Sequence, residues 1–432
     1  MARLQVEQVA RLQVDRWHVR SSQDARLVGL LQRTATNHLA NNRGVALVIT
    51  LFVVALVAVL VLEYYFDASV ELDLAANYAS DAQAYALALS GVNIAQALLS
   101  RDNREVDGPE DPWYRLGALP TCFPPQQLLS LLGEASSGGP LILEKPMSFV
   151  EATTGETACV ILRIVDEQSK LPLNALVSLG AGETPPATDT PEPTPTGGAT
   201  NSGQSTAPTT PAPMASSSVN SDWEPVFKQL FENLRIEEDK LAAVIDWLDQ
   251  DDTPVGLGGA ENAYYETLKP QYRARNGPMR TPGELRLIRG FDFETLARLF
   301  PGAAPEAMAD VDLGNNIYVT PYGATVNVNT ASPEVLEILL AGLYESSGSV
   351  TRDVKEIVAK RQEKQFDDLK QVKDLLIEAA VQSKLERVAS VKSTHFRVIS
   401  TGMIGVIQKR VVAVFNRDQE EAVISLVYLK VE

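Results

Sequence analysis

Histidine and cysteine are scarce: His18, His38 and His395 are the only imidazoles among 432 residues, and Cys122 and Cys159 the only thiols. That excludes a Cys/His metal set, and with no nucleophile elbow it leaves catalysis little but carboxylates, so the chain reads as a non-enzyme. Positive charge is also short, with 38 Lys and Arg against 55 Asp and Glu and a net charge of −17. A surface for nucleic acid needs local cations to replace phosphate counterions, so no nucleic-acid partner is expected by default. Residues 63–100 contain no proline and one glycine, Gly91, so nothing there breaks a helix. Residues 182–222 lack Lys and Arg and hold hardly any large apolar side chain, which excludes a packed core in that stretch.

What is present begins with an apolar run. Val45 to Leu62 is eighteen residues with Thr50 as its only polar side chain and no charge. At ~1.5 Å per residue a helix of that length covers roughly 27 Å, close to the hydrocarbon thickness of a bilayer. Residues 1–44 precede it with seven arginines against Glu7, Asp15 and Asp24, so the positive-inside rule keeps them cytoplasmic and puts the rest outside. A secretory signal peptide fits less well, since its core is shorter and ends in a small-residue cleavage site. A plain single-pass anchor is the other alternative.

The helix is expected to continue unbroken from 63 to 100, burying a stripe through Leu72, Ala75, Ala79, Ala82, Ala86, Leu89, Val92, Ala95, Ala97 and Leu98. Residues 101–120 read as an acidic loop, and 141–143 and 160–165 as strands. Cys122 and Cys159 flank that region; outside the cytoplasm they form either a disulfide or two buried thiols. Residues 182–222, rich in Thr, Pro and Ser, read as a linker or surface loop. From 223 to about 390 the pattern is helical, with capped helix starts at Thr281-Pro282-Gly283-Glu284 and Thr330-Ala331-Ser332-Pro333-Glu334. Strands return at 395–400, 405–415 and 422–431. The expected fold class is α+β: residues 63–181 and 391–432 form one sheet domain against the long helix, and 223–390 is a helical insertion.

Several motifs occur in a specific order: Arg43-Gly44-Val45-Ala46-Leu47, Asp166-Glu167 with Leu173-Asn174, Asp246-Trp247-Leu248-Asp249, Gly259-Ala260-Glu261, Tyr264-Tyr265 and Val326-Asn327-Val328-Asn329-Thr330-Ala331. Together they resemble the K-type minor pseudopilins of the type II secretion system, the general secretion pathway protein K family. The resemblance implies a leader, residues 1–44, cut by a prepilin peptidase between Gly44 and Val45, with N-methylation of the new terminus. It implies a pilin-like α/β domain interrupted by an all-α domain, SAM-like or helix-hairpin-helix-like. It also implies a single-pass inner-membrane protein with its bulk in the periplasm, at the pseudopilus tip. Its expected partners are the I- and J-type minor pseudopilins and the major pseudopilin. Pilin-like chains usually carry Glu as fifth mature residue; counting from Val45, that residue here is Ile49.

The loop after Trp247 brings Asp249, Asp251, Asp252 and Glu261 together without Lys or Arg. Oxygen ligands of this kind suit a hard cation such as Ca²⁺, and the resemblance points the same way. A solvated acidic turn is the alternative. The Asn327–Ala331 and Phe366-Asp367-Asp368-Leu369 segments also resemble helix-hairpin-helix modules, which would suggest a membrane-anchored DNA-uptake protein. Glu334, Glu337, Asp367 and Asp368 beside them oppose a phosphate grip.

Overall fold

The computed structural model describes residues 45–117, 122–123, 150–151, 157–178, 218–301, 317–345, 348–418 and 423–432. The leader, the strand expected at 141–143 and most of the linker lie outside these. The first helix, α1, runs Val45–Arg101 over 57 residues, one residue beyond the expected end. The chain divides into two compact units, residues 1–78 and 79–432. In the first, α1 contains an apolar window long enough to cross a bilayer, none of it buried.

In the second unit α1 lies on a sheet. Its buried residues there are Ser80, Ala84, Ala88, Gly91, Val92, Ile94, Ala95, Leu98 and Leu99. Leu72, Ala75, Ala79, Ala82 and Ala86, expected in the stripe, are instead exposed. Alanine lies on every side of this stretch, so periodicity did not single out a face. The sheet chooses it: a Cβ at Gly402 would stand 2.0 Å from the Ala84 carbonyl oxygen, and one at Gly91 would stand 2.2 Å from Ser400 Oγ. Two glycines, one on each element, let the backbones approach.

A short helix, α2 (Pro112–Gly117), interrupts the expected loop. Its Trp113 is buried edge-to-face on Phe396, with centroids 5.0 Å apart, and that burial accounts for the turn of helix. The sheet follows with β1 (Cys122–Phe123), β2 (Val150–Glu151) and β3 (Thr157–Asp166). Next come the two-residue strands β4 (Leu171–Pro172), β5 (Val177–Ser178) and β6 (Ser218–Val219). β6 pairs with β5, Val219 opposite Val177, so the end of the linker stretch is a strand rather than loop.

The helical part contains α3 (Glu224–Asn233), α4 (Asp239–Leu248), α5 (Asn262–Tyr265) and α6 (Phe293–Leu299). It continues through β7 (Val319–Thr320), β8 (Val326–Asn327), α7 (Pro333–Leu343), α8 (Val350–Glu363), α9 (Leu369–Lys373), α10 (Ala379–Val388) and β9 (Ala389–Ser390). One apolar core unites it, with Val226, Phe227 and Leu230 of α3 beside Leu336, Leu339 and Leu340 of α7. It is not wholly helical: β4 pairs in parallel with β7, and β8 with β9.

The chain closes with β10 (His395–Ile404), β11 (Ile407–Arg417) and β12 (Ile424–Val431). The six-stranded sheet has the order β1-β3-β10-β11-β12, with β2 also on β3 and every pairing antiparallel. Val160, Leu162 and Ile164 of β3, Phe396 and Val398 of β10, and Val411, Ala413 and Phe415 of β11 pack with α1 in a second core. Alternation along each strand leaves the opposite face polar at Arg163 and Arg397.

Candidate metal centre

The expected metal ligands lie where α4 ends. Asp246 is in its last turn and Asp249 is its C-cap, three residues on, so both carboxylates leave the helix on one side. The loop returns at Gly259, where a Cβ would stand 2.4 Å from Asp246 Oδ2, and delivers Glu261 to the start of α5. All three acids are buried, and a carboxylate oxygen from each lies within 4.8 Å of the others. Asp246 Oδ1 accepts a hydrogen bond from the Val255 amide at 3.0 Å. Among the described residues, Asp246 Oδ2, Asp249 Oδ1 and both oxygens of Glu261 have no hydrogen-bond partner.

Burial first, then the neighbouring carboxylates, push Asp249 up to about 7 and Glu261 up to about 8, and Asp246 is raised by burial as well. Arg289 approaches, but it donates to the Gly259 carbonyl at 2.9 Å and lies over the Tyr264 ring. Behind the acids, Trp247, Tyr265 and Tyr272 stack edge-on or tilted with centroids 5.2–6.5 Å apart. Unsatisfied acceptors against an aromatic wall suit a hard divalent cation.

Two of the four expected ligands, Asp249 and Glu261, thus come together with Asp246, which the expected set omitted. Asp251 and Asp252 are exposed: Asp251 Oδ1 accepts from the Thr253 amide at 2.8 Å, and Asp252 Oδ1 accepts from Asn262 Nδ2 at 2.6 Å. Cys122 and Cys159 form a disulfide joining β1 to β3, with Cα atoms 5.4 Å apart. Gly44 lies outside the described residues, and Val45 opens α1.

A second acidic group, Asp102, Asp107 and Asp111, meets at the foot of the sheet. Here a cation is already in place: Arg417, fully buried, pairs with Asp102 at 3.1 Å and with Asp107 at 2.5 Å. Asp166 lies beside them, its Oδ2 accepting from Thr330 Oγ1 and Ser393 Oγ at 2.6 Å each and from Asn327 Nδ2 at 3.2 Å. Asn327 and Asn329 also donate to the Asp107 carbonyl, at 3.1 and 3.2 Å. Asn329 further exchanges two hydrogen bonds with the Phe366 backbone. These contacts clamp the helical part onto the sheet.

Among known families, the model described as type II secretion system (T2SS), protein K, matches residues 169–304. Similar proteins include type II secretion system protein K of Aeromonas hydrophila, 29% identical over 46% of this chain and 57% of the relative. The Klebsiella pneumoniae protein of that name is 36% identical over 27% of this chain and 32% of its own length. The Pseudomonas aeruginosa one is 26% identical over 87% of this chain and 89% of the relative. The chain therefore spans little more than half of the first of these relatives and a third of the second. Among solved structures, the GspK-GspI-GspJ complex from the type 2 secretion system of enterotoxigenic Escherichia coli contains a similar chain. It is 18% identical, covering 84% of this chain and 98% of that one with a TM-score of 0.49. These matches make the chain similar to type II secretion system protein K, over residues 169–304 by the family model and over most of its length by the Pseudomonas aeruginosa relative.

Proposed function

We propose that this chain is a minor pseudopilin: a non-catalytic subunit held in the bacterial inner membrane by residues 45–62, with its bulk in the periplasm. In this reading it starts assembly of the type II secretion pseudopilus, stays at the tip beside I- and J-type minor pseudopilins above the major pseudopilin, and supports export of folded proteins. The observation that carries the reading is α1, one helix that begins as a lipid-compatible segment at Val45 and ends as the spine of a sheet domain. The sheet is then the pilin-like domain, and the insertion at 223–390 is bulk that a fibre end accommodates more readily than its interior.

The DNA-uptake reading is not favoured. Asn327 and Asn329 of the hairpin-like segment are buried and spend their amides on protein carbonyls and carboxylates, so that segment presents no phosphate grip. Calcium fits this reading as a structural ion. Asp246, Asp249 and Glu261 would hold it, and its charge would relieve the mutual repulsion of three buried carboxylates. The test of the function is position: photo-cross-linkers placed on the described surface of the helical part should capture neighbours only at one end of purified pseudopili. Capture at regular intervals along the fibre would reject the tip assignment.

A further inference from the structure

The sheet face turned away from α1 holds a cleft of about 180 Å³ where β3 and β10 meet the chain entering α7. Sites for drug-sized molecules run to roughly 300–1,000 Å³, so this one suits a single functional group. Three cations line it. Lys170 and Arg397 are buried at its floor, and Arg163 is exposed at its rim.

One buried carboxylate, Glu167, answers the floor, with Lys170 Nζ and Arg397 Nε both 2.8 Å from its Oε1. Burial alone would raise Glu167, yet Arg397 and Lys170 hold it down at about 2, so it is fully ionised. Lys170 gives one N–H to Glu167 and, among the described residues, no other. Arg163 adds a further charge and makes no ion pair among the described residues. Among the described residues, even counting Asp166, which lies behind the wall and is hydrogen-bonded to Thr330, Ser393 and Asn327, the cations here outnumber the carboxylates.

Two further features favour an anion. Ser332 accepts the Val335 amide as the cap of α7, an eleven-residue helix, so its own hydroxyl proton remains to be donated at the positive end of that helix. Val165, Ile317 and Ile399 form the apolar walls, which strengthen charge interactions inside.

We infer that this cleft binds an oxyanion, held by Arg163 and Lys170 with the Ser332 hydroxyl as a further donor. Two sources share that chemistry: a carboxylate on a short carbon stem, as on an acidic side chain or chain terminus of another polypeptide, and a free phosphate-type ion. The proposal stands apart from the secretion reading and from the acidic centre.

The test uses the full chain in detergent micelles. Its melting temperature is compared in sodium propionate, sodium phosphate and sodium chloride at equal ionic strength, for the native sequence and for Arg163→Gln. Arg163 is exposed, so the variant should melt like the native chain in chloride. At saturation one oxyanion should raise the native melting point by roughly 2–4 °C over chloride, and Arg163→Gln should lose most of that gain. A gain with propionate alone assigns a carboxylate, and a gain with phosphate alone assigns the free ion. No gain with either, or an equal gain in the variant, overturns the site.

Discussion

Asp246 separates the acidic centre from a solvated turn. It is fully buried, with one oxygen unpartnered among the described residues and a glycine backbone against it, whereas Asp251 and Asp252 face solvent. Calcium should therefore raise the melting temperature of the native chain, and Asp246→Asn should abolish that rise, while Asp251→Asn and Asp252→Asn keep most of it. In chelator the sign reverses, because Asp246→Asn removes one charge from a repelling set and should stabilise by ~1 kcal/mol. A chelator-insensitive native chain would remove the metal. The hub around Arg417 gives a pH prediction. Burial first, and neighbouring carboxylates, push Asp102 up to about 7 and Asp107 up to about 6; burial is also the largest cause for Asp166, up to about 6. One guanidinium shared among several acids does not offset that burial. Unfolded, these groups titrate near ~3.9, so between about pH 4 and 7 the folded state binds the extra protons and its stability falls as pH rises. With chelator present, melting should be higher at pH 5.5 than at pH 7.5, and Asp102→Asn should flatten the difference.

Among elements, strand and helix identity was written locally and partnership was not. The β-branched runs at 160–165, 395–400, 405–415 and 422–431 announced themselves, as did the helix cap at Ser332, whereas the cap at Asp292 did not. The face of α1 that meets the sheet did not, because it is set by close approach at Gly91 and Gly402, and such an approach leaves no periodic trace. Arg417 was equally invisible, since Asp102 and Arg417 are 315 positions apart in sequence. The Asn327–Ala331 motif was legible as a signature but not as to its use, which is a clamp on Asp107 and Asp166 rather than a grip on a ligand. Gly402→Val should cost at least ~2 kcal/mol by forcing β10 off α1, seen as a lower midpoint in urea, with the acidic centre's calcium response retained. Reducing the Cys122–Cys159 bridge, which spans a separation of 37, should cost about 3–4 kcal/mol in the chain-entropy model, read in the same unfolding experiment.

For the whole molecule, the two ends of α1 make different demands. Its second half is fixed by a core that buries Ala88, Val92, Ala95 and Leu99 against the sheet, whereas Val45 to Leu62 has no such partner among the described residues and is long and apolar enough to pack in lipid or against other helices. If the leader is removed between Gly44 and Val45, the new α-amino group sits at the start of an apolar helix. A charge left unpaired at that depth costs at least ~2.5–3.5 kcal/mol on insertion scales. A subunit that joins beneath another can answer the amine above it with a carboxylate five residues from its own terminus, and here that position is Ile49. On that premise the chain would have its own amine neutralised from below and would not neutralise one above, as the proposed place at the tip requires. The reading depends on where the mature chain begins. Mass spectrometry of membrane-extracted protein should find Val45 as an N-methylated terminus, and Gly44→Val should leave the leader attached, because a side chain there would crowd the peptidase subsite. An intact residue 1, or a terminus beyond Leu62, would detach Ile49 from the fifth position and take the tip argument with it.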